Sequence, residues 1–171
     1  MNRRTILMMT LATAIWLGCV LTGDYAVAQK RSLKARLLGT WTFVSSNAKL
    51  SDGSPSWGDN PKGLFTFTEN GYFTWQVFRS DRPKFVANSR LQGTPDENKA
   101  VVQGSLAYFG TYSVREGDNT IIFRVLGSTY PNSEGEELKR IIISLTTDEL
   151  KYVNPSTTLG ERVEAVFRRA K

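Results

Sequence analysis

Gly63-Leu64-Phe65-Thr66-Phe67-Thr68-Glu69-Asn70-Gly71-Tyr72-Phe73-Thr74-Trp75-Gln76-Val77 is the stretch from which the fold can be read. Bulky aromatic residues alternate with Thr and Gln on both sides of a Glu-Asn-Gly turn, the period-two pattern of two strands with one buried face. Two registers compete. A two-residue Asn-Gly turn sets Phe67 opposite Thr74 and Phe65 opposite Gln76. A three-residue loop, a type I turn closed by a left-handed Gly71, sets Phe67 opposite Phe73 and Phe65 opposite Trp75. Only the second gathers all four rings on one face. Cross-strand aromatic pairs contribute about 0.2–1 kcal/mol each, so the bulged hairpin is expected.

The same alternation continues outward. Strands are expected near Gly39–Ser46, Gly63–Thr68, Tyr72–Arg79, Tyr108–Arg115, Thr120–Leu126, Leu138–Leu145, Leu150–Asn154 and Arg162–Arg168. One helix interrupts them. Thr94-Pro95-Asp96-Glu97 is a capping box with proline at the first helical position, and the helix should stop near Gly104. The connections alternate in length. The first, third, fifth and seventh (47–62, 80–107, 127–137 and 155–161) are long, and the second, fourth and sixth are tight turns. In an up-and-down meander successive connections lie at opposite ends, so the long loops should share one end and the turns the other. The fold class is therefore all-β: an eight-stranded antiparallel up-and-down barrel with one short helix between strands 3 and 4. Such a barrel either fills with side chains or holds one small ligand.

The N-terminus reads as a signal peptide. Arg3 and Arg4 precede an apolar run from Ile6 to Leu21, and Ala26-Val27-Ala28 supplies a small–x–small cleavage site. That run is shorter than the roughly 20 residues a membrane-spanning helix needs. Residues 1–28 are thus expected to be removed and 29–171 to form the barrel domain, periplasmic or secreted, with no stable membrane span. An uncleaved anchor, or lipidation at Cys19 (where Trp16 stands in place of the usual leucine), are the alternatives.

Composition narrows the chemistry. The chain has no histidine, and its single cysteine, Cys19, leaves with the leader, so thiol, His-assisted serine and Cys/His metal chemistry are excluded together. No cofactor is expected. The formal net charge of +6 falls by one with loss of Arg3, Arg4 and Asp24. The remaining positives cluster at 30–36 and 168–171 without interleaved stacking aromatics, which suits a solvated surface better than nucleic acid. The acids that could pair sit in the capping box (Asp96, Glu97) or in a hydrophilic loop (Glu134, Glu136, Glu137), and no strand face opposes two carboxylates across a pocket.

Leu38-Gly39-Thr40-Trp41 carries the Gly-x-Trp sequence that opens lipocalins and their calycin relatives. The first strand starts at the turn-rich floor and the last ends there, so Trp41 should meet Arg168 or Arg169. In lipocalins a late arginine packs over that tryptophan. The chain resembles more closely the bacterial lipocalin-like domain family of the calycin superfamily. The resemblance runs through Gly39-Thr40-Trp41, Thr66–Tyr72, Arg79, Arg82-Pro83, Thr94–Glu97, Tyr108–Tyr112, Pro131-Asn132 and Phe167-Arg168-Arg169. It departs in having Ile121-Ile122-Phe123-Arg124 where family members often carry histidines. The resemblance implies the barrel and a cavity, without a settled reaction.

With Trp41 inward, Phe43, Phe65, Phe67, Phe73, Trp75 and Val77 follow, and Ile121, Phe123, Val125, Ile141, Ile143, Val163, Ala165 and Phe167 complete the expected lining. Phe65, Trp75, Val77 and Phe123 are candidate ligand contacts. Arg79, two residues after Val77, should aim inward near the mouth. Tyr108, Tyr112, Tyr130, Arg82 and Arg124 are further polar candidates, and Trp57 in the first long loop can cap the mouth. The leading expectation is binding of a small hydrophobic or amphipathic ligand. A cofactor-free isomerase or cyclase in the same cavity is a second reading, and a filled barrel acting through protein contacts a third. Oligomeric state is left open.

Overall fold

The computed structural model of the chain describes residues 31–157 and 160–171; the expected signal peptide lies outside them. Eight strands, β1 (Gly39–Ser46), β2 (Lys62–Phe67), β3 (Tyr72–Phe78), β4 (Ser105–Arg115), β5 (Thr120–Ser128), β6 (Glu137–Leu145), β7 (Glu149–Asn154) and β8 (Val163–Arg169), pair in sequence order and close β8 onto β1. Every pairing is antiparallel. The meander and its decorated end are as expected.

The β2–β3 hairpin takes the bulged register, with Phe65 opposite Trp75 and Phe67 opposite Phe73. Gly71 has φ +85°, and the Thr68 and Gly71 amides donate to the Tyr72 and Thr68 carbonyls. Four rings on one face seed an aromatic stack through the floor half of the barrel. Phe65 stacks on Phe67 at 4.3 Å, and Phe123 meets Phe73 edge-on at 4.5 Å. Trp41, Ile121 and Phe167 are fully buried beside them. Burying each such side chain contributes about 1.5–3 kcal/mol, so this half of the barrel is core.

At the floor, the indole of Trp41 lies 4.0 Å from the guanidinium of Arg169, its partner across β8. Arg168, one residue earlier, points to solvent. Arg169 also donates to the carbonyls of Thr147, Leu38 and Arg36 at 2.6–2.7 Å. Arg36 belongs to a segment read above as a solvated basic stretch. It is instead a short helix, α1 (Leu33–Leu37), capped by Ser32, whose buried Leu37 closes the barrel floor. The Leu37 carbonyl accepts the Trp41 indole N–H at 2.8 Å, and the Leu33 amide donates to the Glu116 carboxylate of the fourth connection. Leu37 is the buried side of this lid; Arg31 and Lys34 are exposed, and the half-buried Arg36 donates to the Leu145 carbonyl.

The second helix, α2 (Pro95–Gln103), keeps its capping box: Thr94 Oγ1 accepts from the Glu97 amide, and Glu97 returns to the Thr94 amide at 2.8 Å. The other Glu97 oxygen takes the Val86 amide at 2.9 Å, so one carboxylate ties the long loop to the helix start. These donors hold its carboxyl below the ordinary range, Val86 foremost. Among the described residues, no helix is long and apolar enough to cross a membrane.

One strand faces the other way from expectation. On β6, Ile141 and Ile143 are 41% and 50% exposed, whereas Arg140 and Ile142 are each 7% exposed. Pairing decides this: Phe123 and Ile121 of β5 face inward, and they stand opposite Leu138 and Arg140. A bulge between Ile142 and Ser144 then restores Leu145 to the inner face opposite Leu150. Three consecutive isoleucines carry no alternation of their own, so the frame is set by the neighbouring strand.

Candidate functional site

The aromatic stack fills the floor half and stops short of the mouth. Above it lies a cavity of about 220 Å³. Its deep wall comes from Phe43, Trp75, Tyr108, Arg140, Tyr152 and Ala165, one residue from each of six strands. Its rim comes from the long loops: Ser56 and Trp57 of the first, Tyr130 and Ser133 of the fifth, Ser156 and Glu161 of the seventh. The third connection stays outside this rim. There Arg82 donates to the Arg79 carbonyl and to Ser105 Oγ, and lies 4.6 Å over the Phe78 ring.

The cavity has one charged group in its deep wall. Arg140 Nη1 donates to the Lys139 carbonyl at 2.7 Å, and Nη2 reaches Tyr108 Oη at 3.4 Å. The Tyr152 ring centre lies 5.8 Å from the guanidinium carbon. Burial pushes the Tyr152 hydroxyl far above the ordinary tyrosine range, so it remains a neutral phenol beside the cation. Among the described residues, two further polar atoms, Ser56 Oγ and Asn154 Oδ1, are buried without a hydrogen-bond partner, and both residues line the cavity. Unsatisfied buried polar atoms are uncommon in native proteins. Here they converge on one space.

Of the residues singled out from sequence, Trp57, Trp75, Tyr108 and Tyr130 meet in this cavity, with Phe43, Val163 and Ala165 of the expected lining. Phe65, Val77, Tyr112 and Phe123 are buried but absent from its lining. Phe65 and Phe123 belong to the aromatic stack beneath. Tyr112 sits near the floor, where its hydroxyl donates to the Thr68 carbonyl at 3.0 Å and burial raises its pKa.

Arg79 corrects the inward expectation. β3 ends at Phe78, so alternation stops one residue short, and the guanidinium turns back along the first loop. It forms a bidentate pair with Asp81, at 2.6 and 3.0 Å, and reaches the Ser56 carbonyl. That pair holds the Asp81 carboxyl below its ordinary value. The expected inner arginine is on β6, as Arg140.

Arg140 escapes sequence reasoning because it needs the β6 frame, and Tyr152 because it needs the inward face of Leu150 on β7. A frame with Leu138, Arg140 and Ile142 inward has fewer apolar residues than one with Ile141, Ile143 and Leu145. The signal that could have found them is the hairpin Leu145-Thr146-Thr147-Asp148-Glu149-Leu150, whose two leucines share an inner face. Counting back from Leu145 needs the bulge as well.

The model of the lipocalin-like domain family matches residues 38–167, from the residue before β1 into β8. Among solved structures, a lipocalin-like protein from Bacteroides uniformis is 17% identical, with 79% of this chain and 99% of that one covered and a TM-score of 0.44. A de novo designed fluorescence-activating β-barrel is 14% identical, with 82% and 100% covered and a TM-score of 0.45. A deswapped triple mutant of bovine odorant-binding protein is 14% identical, with 79% and 74% covered and a TM-score of 0.37. No curated protein matches the chain. With a closed eight-stranded barrel and a family match from β1 into β8, the chain belongs to the lipocalin-like domain family.

Proposed function

We propose that this chain is an exported carrier that holds a small amphipathic molecule in the mouth half of its barrel. The observation that carries this reading is the division of the interior. Rings pack the floor half, whereas the mouth half keeps a 220 Å³ space with an apolar wall and a few convergent polar groups. That division is what ligand sites in barrels use: apolar area for affinity and sparse polar contacts for orientation. At about 30 Å³ per water-sized unit, the enclosed space admits roughly seven heavy atoms, so the end of a longer alkyl chain lies at the rim beside Trp57. The best small ligands gain at most about 1.5 kcal/mol per heavy atom, so roughly seven buried atoms set a ceiling near 10 kcal/mol, a Kd of about tens of nanomolar at the tightest. Export is supported by Arg3, Arg4, the Ile6 to Leu21 run and Ala26-Val27-Ala28.

The test is titration of octan-1-ol, a neutral amphipathic probe, followed by tryptophan fluorescence and by native mass spectrometry. Trp57 and Trp75 line the cavity and Trp41 does not, so saturation at one molecule per barrel should change the emission. Ser46→Phe, at the mouth end of β1 in the cavity lining, should abolish the change while leaving the barrel folded. No saturable binding to the wild-type barrel would refute the carrier reading.

A further inference from the structure

Arg140 is the least expected residue in the molecule. It is 7% exposed, stands on the inner face of β6 and lines the mouth cavity. A guanidinium stays charged under all ordinary conditions, and a buried charge needs a partner. The ion pairs among the described residues are Arg79–Asp81, Arg115–Asp118, Lys139–Glu137, Lys151–Glu149 and Arg162–Glu164. None involves Arg140, and the neighbouring Lys139 takes the nearby Glu137 for itself. Glu161, the one carboxylate in the cavity lining, is exposed on the seventh loop and forms no ion pair among the described residues. What surrounds Arg140 is neutral: the Lys139 carbonyl and the Tyr108 and Tyr152 phenols. These offer dipoles but no counter-charge.

We infer that Arg140 receives the head group of a monoanion, so that the carried molecule is a small amphipathic carboxylic acid; this rests on the mouth cavity being the ligand site. A guanidinium fork matches a carboxylate with two parallel N–H···O bonds, and its strength rises where solvent is excluded. The Tyr108 hydroxyl, already within reach of Nη2, can donate to the same carboxylate. Charge count sets the class. One buried cation neutralises one negative charge, and a phosphate dianion would bring a second with no partner. Asn154 Oδ1, an unpartnered acceptor elsewhere in the lining, repels a further acid group and suits a hydroxyl or amide N–H on the ligand. The apolar portion then lies against Phe43, Trp75 and Ala165 and leaves past Trp57. A purely structural role fits poorly, because a buried charge without a partner is generally outdone by an apolar residue of similar size.

The experiment compares octanoate, octan-1-ol and octyl phosphate by calorimetric titration at neutral pH, on wild type and Arg140→Met. Wild type should bind octanoate roughly tenfold to a hundredfold more tightly than octan-1-ol, with octyl phosphate weaker than octanoate. Arg140→Met should erase the preference for octanoate over octan-1-ol and melt no lower than wild type. Equal wild-type affinity for octanoate and octan-1-ol, or unaltered octanoate binding to Arg140→Met, overturns the assignment while the carrier reading stands. Stronger binding of octyl phosphate than octanoate overturns the monoanion class. Failure of all three to bind wild type removes the carrier reading itself. Should Arg140→Met not fold, the head-group comparison on wild type still decides.

Discussion

Two adjacent arginines at the end of β8 should respond very differently to removal. Arg169 covers the Trp41 indole at 4.0 Å and donates to three carbonyls, those of Leu38 and Arg36 within partly buried surroundings and that of Thr147 at the exposed edge. A hydrogen bond from a charged donor contributes about 1.5–3 kcal/mol net, and a partly desolvated cation–π contact about 0.5–2 kcal/mol. Discounting the exposed bond and allowing for shared geometry, Arg169→Ala should cost about 3–5 kcal/mol. For a barrel of this size each kcal/mol shifts the melting midpoint by about 3–4 °C, so the drop is roughly 9–20 °C. Arg169→Lys retains the charge but not the planar fork, and should fall between. Arg168→Ala, on an exposed side chain, should stay within about 0.5 kcal/mol. Urea unfolding by far-UV circular dichroism measures all three. Equal costs at 168 and 169, or a near-neutral Arg169→Ala, would refute the latch between α1, β1 and β8.

Glu97 gives the capping box a pH signature. Its carboxyl is held below the ordinary range by the Val86 and Thr94 amides, so its stabilisation is complete above about pH 5 and is lost as pH falls through the lowered value. Urea midpoints across pH 2–6 should fall less steeply toward acid in Glu97→Gln than in wild type. Thr94→Ala should cost about 0.5–2 kcal/mol by the same unfolding assay. Gly110 sits at the β4–β5 bulge, where an added Cβ would lie 1.9 Å from the Arg124 carbonyl oxygen. Gly110→Ala should therefore cost at least about 3 kcal/mol or prevent folding, read by the yield and melting of purified protein. If the leader is removed as proposed, N-terminal sequencing of protein recovered from the periplasm or medium should begin at Gln29.

Much of the architecture is legible without coordinates because it is local. The Thr68–Tyr72 hairpin and the Thr94–Glu97 cap are each specified within five residues, and their hydrogen bonds form as read. The barrel end that carries the cavity follows from loop lengths alone. What is not legible depends on partners far along the chain. The inward frame of β6 comes from its pairing with Ile121 and Phe123, so Arg140 looks like an outer-face residue until the register is known. α1 resembles a basic tail because four residues in and just before it are charged, and only the bonds to Trp41 and Glu116 show that Leu37 closes the floor. The outward turn of Arg79 depends on where β3 stops, a boundary that alternation cannot supply.

The most direct measurement is a crystal structure of the protein soaked with octanoate. The carboxylate is expected within hydrogen-bonding distance of the Arg140 guanidinium and Tyr108 hydroxyl, with the alkyl chain running past Trp75 toward Trp57. A cavity closed by repacked rings, or octanoate ordered only on the outer face of the barrel, would contradict a ligand-holding mouth.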